Sequence, residues 1–352
     1  MSSNKPADVS PPRAHLAAAP NTRRRQLLLL GVAAGLPLAG WRLQGAQGAE
    51  PLRWQGMAMG APASLVLHHT DAQQAQAALA AMRAELARLE AMFSLYRADS
   101  LLSRLNQAGR LAGAPAEFTT LLQAALDMAA KSQGVFDPTV QPLWQLYFDH
   151  YVVRGASQAP APAALSRSLS TVGWRDVHVQ GTQVALARPG MALTLNGIAQ
   201  GFITDRCTEV LRAHGFDRML VDMGEPRALA AKPDGTAWRI GLADPREPSR
   251  ALRTLPVIDR AVATSGGYGT RLEEDGRFTH LINARNGQTA PAFESVTVIA
   301  PTALQADALS TALALMPAHD VAKRQVLLNQ HAGCRAVCIG AQGQMLDLEA
   351  TV

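Results

Sequence analysis

The strongest pattern along the chain lies in residues 71–93, where Leu79, Met82, Leu86, Leu89 and Phe93 recur at spacings of three and four. That spacing puts them on one face and predicts an amphipathic helix. Leu121, Leu122, Ala125 and Met128 predict another over about 116–132. Between the two, Ser100 is placed to cap a short helix around Leu101–Asn106. Ahead of them, Trp54 to His68 reads as an opening strand interrupted at Met59-Gly60. Residues 137–170 are mixed, and the Ala/Pro-rich stretch Ala156–Ala164 predicts a surface loop. The second half is richer in strands, expected at Val177–Leu186, Ala192–Leu195, Met219–Asp222, Trp238–Leu242, Leu255–Ala263, His280–Asn283 and Ser295–Ala300. Helices are expected over Ala199–Gly215, Thr302–Met316 and Val321–Asn329, and Arg335–Ile339 with Met345–Leu348 close the chain as a hairpin. Interspersed helices and strands with late antiparallel hairpins predict an α+β fold of mixed antiparallel sheets with packed helices.

Composition fits a folded chain. Its 352 residues are 48% hydrophobic and 17% charged, enough for a real core and unlike a disordered protein. The net charge of +5 invites a nucleic-acid reading. Its distribution removes that reading. Residues 1–48 hold six of the 33 basic residues and one of the 28 acidic ones, which leaves 27 of each beyond them. A formally neutral body does little long-range steering of polyanions.

The leader itself has three parts. A polar stretch runs to about Pro20, then comes Arg23-Arg24-Arg25-Gln26-Leu27-Leu28, then an apolar run to about Gly40. The run is about 14 residues, too short to span the bilayer as a helix. A basic segment before a short apolar one reads as an export signal, and paired arginines followed by leucines read as the twin-arginine type. Residues 1–48 are therefore expected to be a twin-arginine signal and 49–352 the mature domain, periplasmic and without a transmembrane segment. A basic N-terminus with no export role is the alternative. Of the three cysteines, Cys334 and Cys338 lie four apart on a predicted strand, roughly 13 Å, too far for a disulfide. With Cys207 they are expected to be buried thiols, and no Cys/His spacing suggests zinc.

Four segments carry candidate chemistry. In Gln305-Ala306-Asp307-Ala308-Leu309-Ser310-Thr311, Asp307 and Thr311 share a helical face, and their oxygens suit a hard cation such as Mg2+. Asp307 as a helix cap and Thr311 bonded to its own backbone is the plainer reading. In Leu195-Asn196-Gly197-Ile198-Ala199-Gln200-Gly201, a strand enters a glycine-punctuated turn that opens a helix, a place suited to phosphate, or simply a tight turn. Gly134-Val135-Phe136-Asp137-Pro138 holds Asp137 extended before a proline, so that its side chain can project from the turn, or is simply a structural turn. Ala263-Thr264-Ser265-Gly266 and Thr279-His280-Leu281-Ile282-Asn283 are a Ser/Gly turn and a strand carrying one histidine, which is structural or catalytic.

No segment decides the matter alone. In this order, and with Met59-Gly60 and Ser94-Leu95-Tyr96-Arg97-Ala98-Asp99-Ser100, they resemble the FAD:protein FMN transferases of the ApbE family over about residues 54–348. The resemblance implies an ApbE-like, T-fold-related architecture, expected as a monomer. It implies that Asp307, Thr311 and the backbone carbonyl of Gly197 hold Mg2+. It assigns flavin contacts to Met59, Ser94, Leu95, Tyr96, Asp137, Gln200, His280 and Ile282. Catalysis would rest on Asp307, Thr311 and His280: FMN passes from FAD to a Ser/Thr hydroxyl of an acceptor flavoprotein, AMP leaves, and either Asp307 or His280 serves as base. Two positions depart from the family. Gln200 stands where many members have lysine, and Asp222-Met223-Gly224-Glu225-Pro226 replaces a Gly-Gly-Asp turn. With the leader, this resembles the branch associated with nitrous oxide reductase maturation, whose acceptor is a membrane flavoprotein with a periplasmic domain. A flavin-holding maturation factor with little catalysis, and an FAD pyrophosphatase yielding FMN and AMP, are the alternatives.

Overall fold

The computed structural model describes residues 50–270, 272, 278–289 and 292–351. The expected leader, residues 1–48, lies outside them. Strands β1 (Leu52–Ala58) and β2 (Ala61–Leu67) form a hairpin. Its turn residues Met59 (φ 51) and Gly60 (φ 84) are both left-handed, as a tight two-residue hairpin requires. Helix α1 (Ala72–Phe93) starts at Asp71, whose carboxylate accepts from the Gln73 and Gln74 amides at 2.8 and 3.0 Å. Its buried face includes Met82, Leu86, Leu89 and Phe93, as the periodicity predicts. Ser100 caps α2 (Leu101–Ala108) by accepting from the Ser103 amide at 3.0 Å. There follow β3 (Arg110–Leu111), α3 (Ala116–Lys131), and α4 (Gln141–Tyr147), which runs on into a π-helical turn at Phe148–Val153. Then come α5 (Pro162–Leu169), β4 (Val177–Gln180), β5 (Gln183–Leu186), α6 (Ala199–Ala213), β6 (Met219–Asp222) and β7 (Pro226–Leu229). The rest is β8 (Trp238–Asp244), β9 (Glu247–Val257), β10 (Arg260–Gly266), β11 (Ser295–Ala300), α7 (Ala303–Leu315), α8 (Val321–Asn329), β12 (Arg335–Ile339) and β13 (Met345–Glu349).

An eight-stranded sheet runs β1-β2-β6-β7-β10-β11-β12-β13 with every neighbour antiparallel. Alternation along its strands sends Leu65, Val221, Ala263 and Val298 into the main core, shared with α1, α6 and α7. The opposite face carries Val66, Leu220, Val262 and Ile299, against which the β8–β9 hairpin packs Trp238, Ile240, Leu255 and Val257. A small sheet, β3-β5-β4, lies apart. All three cysteines are free and buried, as expected.

Several boundaries differ from expectation. Val177–Leu186 is a hairpin, not one strand. Leu255–Ala263 splits because Asp259 (φ 50) turns the chain, its carboxylate accepting from the Ala230 amide at 2.8 Å. Ala192–Leu195 is not a strand: the Asn106 side chain takes both backbone groups of Leu193, at 2.7 and 2.8 Å, where a strand partner would stand. His280–Asn283 forms no strand either, since the His280 and Asn283 amides go to Thr270 and Gln288 carbonyls. The Ala156–Ala164 loop ends early, because Pro162 opens α5 at a position where its missing N–H costs nothing.

Candidate functional site

Helix α7 is apolar on nearly every side and is buried accordingly. Polar groups hold both of its ends. At the start, the Asp205 carboxylate accepts from the Ala303 and Leu304 amides at 2.9 and 3.0 Å and pairs with Arg227 at 2.5 Å. At the other end, the buried Arg324 guanidinium donates to the carbonyls of Leu313 (3.1 Å), Ala318 (3.3 Å) and Met316. The helix is thereby fixed along its axis, and with it Asp307 and Thr311, one turn apart.

Helix α6 approaches α7 closely. A Cβ on Gly201 would strike the Ala303 carbonyl and lie 2.8 Å from Asp307 Cβ, so only glycine permits the contact. The same approach lets the Gly201 amide donate to Asp307 Oδ2 at 2.9 Å. Just before α6, a Cβ on Gly197 would stand 3.2 Å from Thr311 Oγ1, so the Gly197 backbone lies against that hydroxyl. Ser265 Oγ lies 3.2 Å from Thr311 Oγ1 and 2.8 Å from Ser310 Oγ. The three residues expected to bind metal therefore share one corner.

That corner is acidic and buried. Asp307 is only 4% exposed, and burial pushes its carboxyl up to about 7. Burial, then the Asp307 and Asp222 carboxylates, hold Glu225 well above the usual range, and burial raises Asp222 to about 6. A cation would relieve this desolvation. Among the described residues, no group of three or more His, Cys, Asp or Glu side chains is placed to hold a metal. The available donors are a carboxylate, a hydroxyl and a backbone carbonyl. That mixed oxygen set fits Mg2+, which keeps several water or phosphate ligands of its own.

The corner opens into a cavity of about 1590 Å³. Met59, Tyr96, Asp137, Gly197, Gln200, His280, Ile282, Asp307 and Thr311 all line it. Ser94 and Leu95 do not appear on its wall. Ser94 instead accepts from the Tyr96 amide at 3.2 Å, and Leu95 packs on the core. Asp137 does not project freely. Its carboxylate caps the turn at Pro138, accepting from Thr139 N (2.8 Å), Thr139 Oγ1 (2.6 Å) and Trp174 N (3.0 Å). It builds the wall. The Gln200 amide folds over Gly224. His280 Nδ1 lies 3.3 Å from the Thr270 carbonyl, and burial lowers its pKa, so the ring is neutral at neutral pH.

Four further residues belong here. Asp222 and Glu225 line the cavity, although in the sequence they read only as a departure from a family turn. Trp144 and Phe148, stacked at 4.9 Å, form an aromatic wall. With Val152 they recur every four residues, a signal legible in the sequence.

A sequence profile of the ApbE family matches residues 59–338. An FAD:protein FMN transferase of Treponema pallidum is 34% identical over 270 residues, covering 68% of this chain and 72% of the relative. One of Salmonella typhimurium is 29% identical over 290 residues, covering 78% and 81%. Among solved structures, the ApbE protein of Thermotoga maritima superposes with a TM-score of 0.75 at 25% identity, over 85% of this chain and 97% of that one.

Proposed function

The chain belongs to the ApbE family, and from that premise we propose that it transfers FMN from FAD to a Ser/Thr hydroxyl of an acceptor protein, with Mg2+ held by Asp307, Thr311 and the Gly197 carbonyl. The observation that carries this reading is the buried Asp307 carboxylate, pushed up to about 7, which shares a cavity of dinucleotide size with the Thr311 hydroxyl and the Gly197 backbone packed against it. The acceptor oxygen forms a bond to the FMN phosphorus. The bond from that phosphorus to the bridging oxygen breaks, AMP leaves with that oxygen, and the hydroxyl proton is released. Mg2+ at this corner would neutralise charge on the pyrophosphate. The residues do the rest. His280, neutral by burial, serves as the base for the acceptor hydroxyl. Tyr96 and Met59 wall one side, and Trp144 with Phe148 another, to keep water off the phosphorus. Gln200 offers a neutral amide where many members carry a lysine.

The basic and apolar leader supports export to the periplasm by the twin-arginine route. The acceptor is then a membrane flavoprotein with a periplasmic domain, of the kind linked to nitrous oxide reductase maturation. The test is to incubate the mature protein with FAD, Mg2+ and a periplasmic flavoprotein domain. Covalent flavin fluorescence on the acceptor is the expected result. FMN and AMP without a labelled protein identify a pyrophosphatase, and intact bound FAD identifies a flavin carrier.

A further inference from the structure

The transfer reaction needs a polypeptide hydroxyl inside a cavity, so some stretch of foreign backbone must enter it. Four consecutive residues of β8, Ile240 to Ala243, line that cavity. In a strand, consecutive side chains point to opposite faces, so an unbroken run on one wall marks an exposed edge rather than a face. Among the described residues, β8 pairs with β9 alone. The register tells which groups are free. Arg239 faces Pro256, and proline has no N–H, so that pair is of the non-hydrogen-bonded kind. Alternation makes Gly241–Thr254 the next such pair, ahead of the irregularity after Leu242. The N–H and C=O groups of Arg239 and Gly241 therefore point away from β9. Gly241 is exposed and stands on the cavity wall. Exposed strand edges are templates for another strand, and proteins usually blunt them. This one is left open on the wall of the cavity that also holds Asp307 and Thr311.

Charge gives the occupant's character. The β8–β9 hairpin carries Arg239, Arg246, Arg250 and Arg253 against Asp244 and Glu247, a net +2, while the rest of residues 49–352 holds 23 basic and 25 acidic side chains. Arg246 pairs with Asp244 and Arg253 with Asp347, so Arg239 and Arg250 carry the attraction. The exposed Arg53 of β1 adds a further cation to the cavity wall.

Resting on the transfer reading, we propose that the acceptor binds as an extended, acidic segment added as a strand to the free edge of β8, which carries its Ser/Thr into the Asp307–Thr311 corner. Backbone pairing supplies affinity, and the arginines with the pockets flanking the strand supply preference for the flavinylation motif around the Ser/Thr.

The test uses the mature protein, FAD, Mg2+ and a peptide of about ten residues, the length of a long strand. The peptide carries one central threonine among alternating Asp and Val. Its backbone is N-methylated one residue at a time. Labelling by FMN should fall about fivefold or more at the two positions, two residues apart, that donate to the Arg239 and Gly241 carbonyls, and little at the position between, the loss expected for one hydrogen bond. A Lys-for-Asp peptide should be labelled about tenfold more slowly, and an Arg239→Glu/Arg250→Glu protein should reverse that order. Gly241→Pro should raise the peptide KM; should that variant not fold, the N-methyl scan alone carries the test. A scan without this spacing of two overturns the proposal. So does a peptide left unlabelled under conditions where a whole acceptor flavoprotein is labelled. A wild-type protein that labels no acceptor at all overturns instead the transfer reading beneath it.

Discussion

Two buried aspartates, on adjacent helices, show how differently one fold can treat the same side chain. Asp205 on α6 is surrounded by donors: Arg227 and the first two amides of α7. Asp307 on α7 accepts from the Gly201 amide, with Glu225 and Asp205 carboxylates nearby. Both are raised by burial, but only the first has a cation among its partners. The first carboxylate closes a helix end and fixes the helix in place. Among the described residues, the second has no side-chain cation beside it, which is what the proposed Mg2+ site requires. A buried charge with its partners present is structural; one without them marks a site.

The sharpest way to break this contrast is to remove each charge in turn. Asp307→Asn should lower FMN transfer by about a thousandfold, corresponding to several kcal/mol of lost charge stabilisation, with thermal stability kept or raised. Asp205→Asn should do the reverse, costing about 2–4 kcal/mol of folding stability because Arg227 is left half-buried and unpaired and two amides of α7 lose a charged acceptor. Denaturant unfolding and a gel assay of flavin fluorescence read the two effects. If Asp205→Asn abolishes transfer without loss of stability, the assignment of roles is wrong.

Close packing is the next handle. Gly201→Ala places a methyl against the Ala303 carbonyl and should cost about 1–3 kcal/mol. It should also weaken Mg2+ binding, because α6 must move off Asp307. A variant with wild-type stability would show that the helices separate without penalty.

How far the sequence reached follows the same division. The four-residue spacing of Asp307 and Thr311 was legible, because helical periodicity alone puts them on one face. So were the α1 face, the cap at Ser100 and the strand at Met219–Asp222. Asp205 was not legible as the partner of α7, since its ligands lie about a hundred residues away in the chain. Asp222 and Glu225 were read only as an altered turn, because nothing local says that β6 ends beside α7. Asp137 stood between two readings, a projecting side chain and a structural turn. The Thr139 amide two residues on and the Trp174 amide 37 residues away hold its carboxylate in the turn, and the second of these is beyond local reading. The Asn106 side chain hid the end of the expected strand at Ala192–Leu195, because a side-chain amide can stand in for a strand partner.

The pH dependence sharpens the contrast further. Asp307 sits at about 7 in the folded state and near 3.8 in its absence. The folded protein therefore binds more protons than the unfolded chain between those values. Its metal-free stability should fall as pH rises from about 4 to about 7, and added Mg2+ should recover most of the loss. Thermal melts with and without Mg2+ at pH 5, 6, 7 and 8 follow this, and a flat difference across the series would contradict it. The smallest expected effect is at Gln200. Gln200→Lys restores a cation near the pyrophosphate and should tighten FAD binding about fivefold to tenfold, most visibly at low salt. A fluorescence-quenching titration measures it, and weaker binding would mean that the space over Gly224 does not admit a lysine.

The most direct measurement is a calorimetric titration of Mg2+ into the mature protein with FAD present, at pH 6.5 in two buffers of different ionisation heat. One binding event that releases a fraction of a proton is expected, with loss of both binding and release in Asp307→Asn. Undiminished Mg2+ affinity and the same proton release in Asp307→Asn would contradict it.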